Sequence, residues 1–306
     1  MNDILFYDEW QNAIKTNDHK VFKRFMQEMC DDQMHYFDDN IEKWHELYLE
    51  LDKENLNNIE NIWGEGFALY KTYIDVSVRF SDEYLKYIEH NKRFQDRHDG
   101  EMLFTALRYI NDRAIQVANE ILVLLKNGYA DAAYARRRTL YELSIVADFL
   151  VKYGDDVAKA YIEYDGQWCD WAKNVIPKKG RITFSDIEKK CSVKDEDIDL
   201  WDKENRISNK LVHASPQGTF SRFNIKERMK VIPIGPSPEG IVTAAVNSIE
   251  SLYHMNCIYF GWKKDVFALV FMTVLNGLKQ KVFEKFDALE KDYLEKVKEN
   301  TSTTEG

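Results

Sequence analysis

Residues 101–154 read EMLFTALRYINDRAIQVANEILVLLKNGYADAAYARRRTLYELSIVADFLVKYG, and this stretch decides the fold. A first helix is predicted from about Glu101 to Leu125. It stops at Lys126-Asn127-Gly128, where glycine supplies a left-handed cap. A second runs from about Asp131 to Lys152 and stops at Gly154, after which Asp155 is placed to cap a third helix. Long helices joined by so short a connection pack as antiparallel neighbours in a bundle.

The rest of the chain follows the same pattern. All five prolines lie beyond residue 176, only 13 of 306 residues are glycine, and alternating β-branched runs are nearly absent. Nothing in the first half interrupts a helix. The expected fold is therefore an all-α multi-helix bundle. Residues 1–98 form a charged amino-terminal region of several helices, with Phe22, Phe25, Met26 and Trp44 at helical spacing. The polar run from His90 to Gly100 closes that region, and a bundle domain follows over 99–299. The helix after Asp155 carries Tyr161, Tyr164, Trp168 and Trp171 at spacings of three and four. Such a stripe serves a core or a dimer interface, or else stacks bases. A further helix is expected over about 195–214. One short strand or β-hairpin is expected near 219–236, followed by a helix start at Ser237-Pro238. Long helices over about 238–260 and 263–299 come next, then a disordered tail at 300–306.

Composition narrows the function classes. Hydrophobic residues at 44% and charged residues at 31% suit a globular, soluble chain rather than a disordered one. The amino terminus carries acids where a signal peptide has bases. The most apolar run, Val266 to Leu275, is about half a membrane span and is expected to be a buried core helix. A cytoplasmic location follows. Cys30, Cys169, Cys191 and Cys257 show no ligand spacing and read as buried free thiols in a reducing compartment. A net charge of −10 repels nucleic acid at long range, so any RNA contact needs a local basic patch.

One segment points to chemistry. Arg206-Ile-Ser-Asn-Lys-Leu-Val-His213 places an arginine and a histidine seven residues apart, nearly two helical turns, with Asn209 between them on the same side. A cation, an amide and an imidazole on one stripe can grip a phosphate and move a proton. A solvated face with a histidine at a helix end accounts for the same residues. The segment Arg136-Arg137-Arg138-Thr139-Leu140-Tyr141-Glu142 offers a partner, because Arg138 and Glu142 are four apart and can pair. Its apolar surroundings suggest a deep helix, where a charged pair is either catalytic or a device that fixes register.

The pattern Asn127-Gly128, Ala132-Ala133, Arg138 to Glu142 and Phe149-Leu150, followed by Ile207-Ser208 and Leu211 to Ser215, resembles a bacterial domain-of-unknown-function family, number fifty-six seventy-seven, over about residues 100 to 280. The arginine-to-histidine spacing is also similar to that of the HEPN superfamily of helical bundles, many of them dimeric RNases. By that resemblance the bundle is HEPN-like. Arg206 and His213 are then the catalytic pair, Asn209 adds a polar contact, and Arg138, Glu142, Ser208 and Ser215 support them. The chemistry implied is metal-independent RNA cleavage without a cofactor, in a homodimer acting as a toxin or in phage defence. No P-loop, dinucleotide fingerprint, nucleophile elbow or EF-hand loop is present. Two rivals stay open: a metal hydrolase using Glu142, His213 and His254, and a non-catalytic module that binds a partner protein or a small phosphorylated ligand.

Overall fold

The computed structural model describes Lys15 and residues 18–91, 100–166, 169–191 and 235–304. These residues are α-helical with one short 3-10 turn, and no strand occurs among them. In order the helices are α1 (His19–His90), α2 (Glu101–Lys126), α3 (Ala130–Tyr153), α4 (Asp155–Glu163), α5 (Phe184–Glu188), α6 (Ile241–Gly261) and α7 (Val266–Thr304). The all-α bundle expected from the sequence is present. The hairpin expected near 219–236 lies outside the described residues except for Gly235 and Pro236.

Among the described residues, most of the amino-terminal region is one helix rather than several. From His19 to His90 the chain forms one helix of 72 residues, because no proline interrupts it and its glycines, Gly64 and Gly66, break no hydrogen bond of the helix ladder. The chain divides into two compact units, Met1–Glu54 and Asn55–Gly306. Within the first, Tyr36, Phe37 and Trp44 form a ring cluster on α1, Trp44 lying 5.6 and 5.5 Å from the other two ring centres. Residues 55–90 supply core to the second unit.

In that second unit, α1 meets α6 at a heptad interval. Trp63 Nε1 donates to the Pro238 carbonyl at 3.0 Å, and Tyr70 shares a 2.8 Å hydrogen bond with Ser248. Asn256 Nδ2 donates to Ser77 Oγ at 3.0 Å, and the Tyr84 hydroxyl donates to the Phe260 carbonyl at 3.3 Å. Numbers rise together on both helices, so the two run parallel. Against α7 they run in opposite senses: Phe80 stacks on Phe271 and Phe67 meets Phe286 edge-on. Phe286 is fully buried, and a Cβ on Gly66 would lie 2.8 Å from its ring. Gly66 therefore leaves the space that the Phe286 ring occupies.

The α2–α3 hairpin packs on α6. Gly128 takes the left-handed φ of 75° that the sequence predicts, and Ser237 N donates to its carbonyl at 3.1 Å. A Cβ there would lie 2.6 Å from Ile59 and 2.8 Å from Ser237 N, so the turn needs glycine for space as well as conformation. Asp155 does not cap α4. The cap position is Gly154, and Asp155 Oδ1 accepts from Leu103 N at 2.8 Å, tying α4 to the start of α2.

Three further expectations are corrected. Only Cys191 of the four free cysteines is buried; Cys30 is exposed and the other two are half-buried. The tail expected to be disordered is helical through Thr304, since beyond Gly277 a propagating helix meets no glycine or proline before Gly306. The apolar run at the start of α7 is not a buried core. Ala268, Phe271 and Leu275 are buried, but Val266 is 76% exposed and Val270 58%. By length and composition alone, Val266–Glu299 reaches the size of a membrane span, with 28% of its most apolar window buried.

A buried cation joins α6 to α7. Lys279, its side chain 9% exposed, meets Glu250 at 2.9 Å and lies 4.3 Å from the Tyr253 ring centre. His254 Nε2 meets the same carboxylate at 3.1 Å. Burial pushes the Glu250 carboxyl up, but the His254 and Lys279 contacts outweigh it and hold the group below its ordinary value.

Two predictions follow from this packing. Gly66→Leu forces a side chain into the Phe286 ring and costs about 1–3 kcal/mol, read as a lower melting temperature with unchanged helical content. Because the folded Glu250 carboxyl binds its proton less readily than the unfolded one, its stabilisation is present at neutral pH and is lost as pH falls through the lowered folded value. Glu250→Gln should therefore melt lower than the wild type at pH 7. In acid below the carboxylate range the two should converge, as measured by thermal melts across pH.

Candidate functional site

Three successive arginines on α3 point in three directions, as a rotation of about 100° per residue requires. Arg136 meets Glu120 of α2 at 2.6 Å, and Arg113 reaches the same carboxylate at 3.1 Å. The Arg136 hydrogen bond, set against a smaller effect of burial, holds Glu120 below its usual value. Arg138 pairs with Glu142 at 2.8 Å, as the four-residue spacing predicts. That pair is not deep in the bundle: its side chains are 36% and 35% exposed, because residue 138 turns away from the α6 contact.

Arg137 is the buried arginine. It is fully enclosed, and Nε donates to Ser251 Oγ at 3.1 Å and to the Asn247 carbonyl at 3.3 Å, both on α6. Its guanidinium carbon lies 5.7 Å from the Tyr134 ring centre, on the same helix. Ala130, Ala133, Leu140, Ser144 and Ala147 share its buried stripe at spacings of three and four. Small residues bring α6 close, and Arg137 runs between the two helices. That stripe was the signal in the sequence that marks Arg137 as the inward arginine.

The aromatic stripe is not carried by one helix. Helix α4 stops at Glu163, Tyr164 is extended, and Trp171 lies on the 3-10 turn Asp170–Ala172. Tyr161 and Trp171 still meet edge-on with ring centres 5.0 Å apart. With Ala106, Tyr109, Ile162 and Tyr164 they line an open cavity of about 460 Å³, within the size range of small-molecule sites. Tyr109, 63% exposed, is contributed by α2 and had no pattern to announce it. Trp168 lies outside the described residues. Cys169 is on the adjoining segment, its thiol pushed up first by burial and then by the charges of Glu142, Asp170 and Asp186; such a thiol is a poor nucleophile.

Arg206, Ser208, Asn209, His213 and Ser215 lie outside the described residues. His254, a candidate ligand in the metal reading, contacts Glu250 of its own helix. Among the described residues no three His, Cys, Asp or Glu side chains gather as a metal ion would require.

Residues 104–232 match the model of a family of unknown function, DUF5677. The matched segment covers most of the α2–α3 hairpin, the aromatic cavity and the Arg206-to-His213 motif. It stops short of α6 and α7, so the matched region is narrower than the 100–280 expected. No curated protein and no solved structure matches the chain.

Arg137 and Arg138 should respond differently to truncation. Arg138→Ala breaks a half-exposed i,i+4 pair and changes stability by about 0.5 kcal/mol or less. Arg137→Ala removes two hydrogen bonds to a buried charge and leaves a void, costing about 3 kcal/mol or more. Denaturant unfolding of the two variants beside the wild type checks the contrast.

Proposed function

We propose that the chain is a cytoplasmic, metal-independent endoribonuclease with a HEPN-like bundle, acting as a toxin-like effector in phage defence or stress response. The observation that carries this reading is the Arg206-to-His213 spacing inside the DUF5677-matched segment. His213 serves as general base on a ribose 2′-hydroxyl or as acid on the leaving 5′-oxygen, since an imidazole titrates near working pH. Arg206 stabilises charge building on the phosphorane oxygens, with Asn209 as a further polar contact. The 2′-oxygen forms a bond to phosphorus as the bond to the 5′-oxygen breaks, leaving a 2′,3′-cyclic phosphate and a 5′-hydroxyl. The open aromatic cavity supports the reading, because rings of this kind stack unpaired bases without sequence preference.

A second reading is favoured by a specific observation. Arg136 and Arg138 are each occupied by a carboxylate, which suits a structural role in a non-catalytic module that binds a partner protein or a small phosphorylated ligand.

Cleavage of end-labelled RNA by purified protein in EDTA separates the two. The wild type should leave cyclic-phosphate ends, while His213→Ala and Arg206→Ala should lose activity by about 10²–10⁴-fold with melting temperatures nearly unchanged. Equal cleavage by wild type and variants would trace the signal to a contaminant. No cleavage by the wild type would favour the binding module.

A further inference from the structure

Helix α7 has two apolar faces over its first three turns. The inward seam, Ala268, Phe271 and Leu275, continues through Lys279, Val282 and Phe286 at spacings of three and four, all buried. The outward seam repeats the same spacing. Val266, Leu269, Val270 and Val274 are 76%, 54%, 58% and 43% exposed, and Gly277 follows with open space above it. A surface helix normally turns a polar face to solvent. Here no charged residue occurs from Val266 to Leu278 in a chain with a net charge of −10. From Gln280 onward the outward positions become Lys281 and Glu284, both exposed, so the apolar patch has a defined end. With Phe267, 39% exposed, it presents on the order of 500 Å² of apolar surface, the size of the largest patch on an ordinary monomer, which is often functional.

We propose that this face is a homodimer interface in which α7 of one copy packs antiparallel on α7 of a second copy. Two arguments select that occupant. Self-pairing buries on the order of 1,000 Å² in total, which reaches the threshold of a specific interface, and a patch without charges needs no countercharge from its partner. A lipid surface fits less well, since the seam lacks the interspersed cations that hold interfacial helices on anionic headgroups and the chain as a whole is acidic. Antiparallel pairing about a twofold axis brings Val266 of each copy over Gly277 of the other and Leu269 over Val274, large against small, reciprocally as an isologous contact requires. Parallel pairing would set Val266 on Val266 and Lys281 on Lys281. The antiparallel arrangement puts the two Lys281 residues at opposite ends. This assembly does not rest on the ribonuclease reading, and the experiment that tests it measures no cleavage.

Sedimentation velocity of the full chain over a concentration series is the test, with circular dichroism to verify folding. The wild type should sediment at twice its 36.2 kDa. Val270→Glu, a substitution at an exposed position, should weaken the dimer at least about 100-fold with helicity and melting temperature retained. The register is tested separately: Leu269→Lys and Val274→Glu should each give monomer, and the double variant should recover the dimer because the two positions face each other across the axis. A wild type that is monomeric throughout overturns the proposal, as does a dimer indifferent to Val270→Glu. Flotation with neutral phosphatidylcholine vesicles that Val270→Glu abolishes would assign the face to lipid instead and also overturn it. A double variant that stays monomeric would overturn the antiparallel register.

Discussion

Hydroxyl and amide groups buried between α1 and α6 constrain everything packed around them. Tyr70, Tyr73 and Ser77 are all fully buried on α1, and burial alone pushes the Tyr70 phenol far up its titration range. A buried polar group costs stability unless a partner meets it at hydrogen-bond distance. Ser248 and Asn256 supply that partner, eight residues apart on α6 against seven on α1. An apolar interface tolerates a slip of one turn, since one leucine replaces another. A slip here would take the interhelical partners from the Tyr70 hydroxyl and the Asn256 amide, so the bonds fix the axial register of the parallel pair. Once that register is set, the carbonyl of Pro238 lies over Trp63 and that of Phe260 over Tyr84, and both ends of α6 are placed.

The other helices take their positions from α6. Arg137 of α3 reaches its Asn247–Ser251 turn, and the small residues of the α3 stripe let it do so. Lys279 of α7 reaches Glu250 on the next position round. Two cations thus approach one segment of α6 from neighbouring helices, Arg137 donating to a hydroxyl and a carbonyl there and Lys279 meeting a carboxylate. Each has an aromatic ring beside it: the Arg137 guanidinium lies 5.7 Å from the Tyr134 ring centre and the Lys279 ammonium 4.3 Å from that of Tyr253.

Much of this is legible in the sequence. The α2–α3 hairpin, with glycine at 128 and 154, follows from local capping chemistry that acts within a few residues. The length of α1 did not follow, because charge-rich helical sequence carries no positive mark of continuity, only the absence of breakers. Arg138 and Glu142 were paired by spacing, and the pair forms. Its depth is not legible, because apolar neighbours at 140, 143 and 145–146 surround the helix without saying which face a residue 100° away occupies. The stripe Ala133–Arg137–Leu140–Ser144 held the answer, but an arginine on an apolar stripe resembles an error in the stripe until a partner helix is seen. The aromatic cavity was half legible: Tyr161, Tyr164 and Trp171 stood out as a group, while Tyr109 comes from another helix and no local pattern links it to them.

The start of α7 shows why hydropathy and burial are separate quantities. A run such as Val266–Leu275 reads as core because a helix with apolar residues all round is normally enclosed on all sides. Enclosure needs neighbours on every side, and in the described residues those neighbours, α1 and α6, lie on one. The inward seam is accounted for by Phe80, Tyr84 and Phe260 around Phe271. The outward seam carries as many large side chains with no described residue enclosing them. Exposure of that much apolar surface is unfavourable in water by roughly 25 cal/mol for each Å², a cost of many kcal/mol over the seam. A cost of that size is removed by any surface of matching shape that carries no uncompensated charge. A second copy of the same helix is such a surface, and it is present at the protein's own concentration wherever the chain is made.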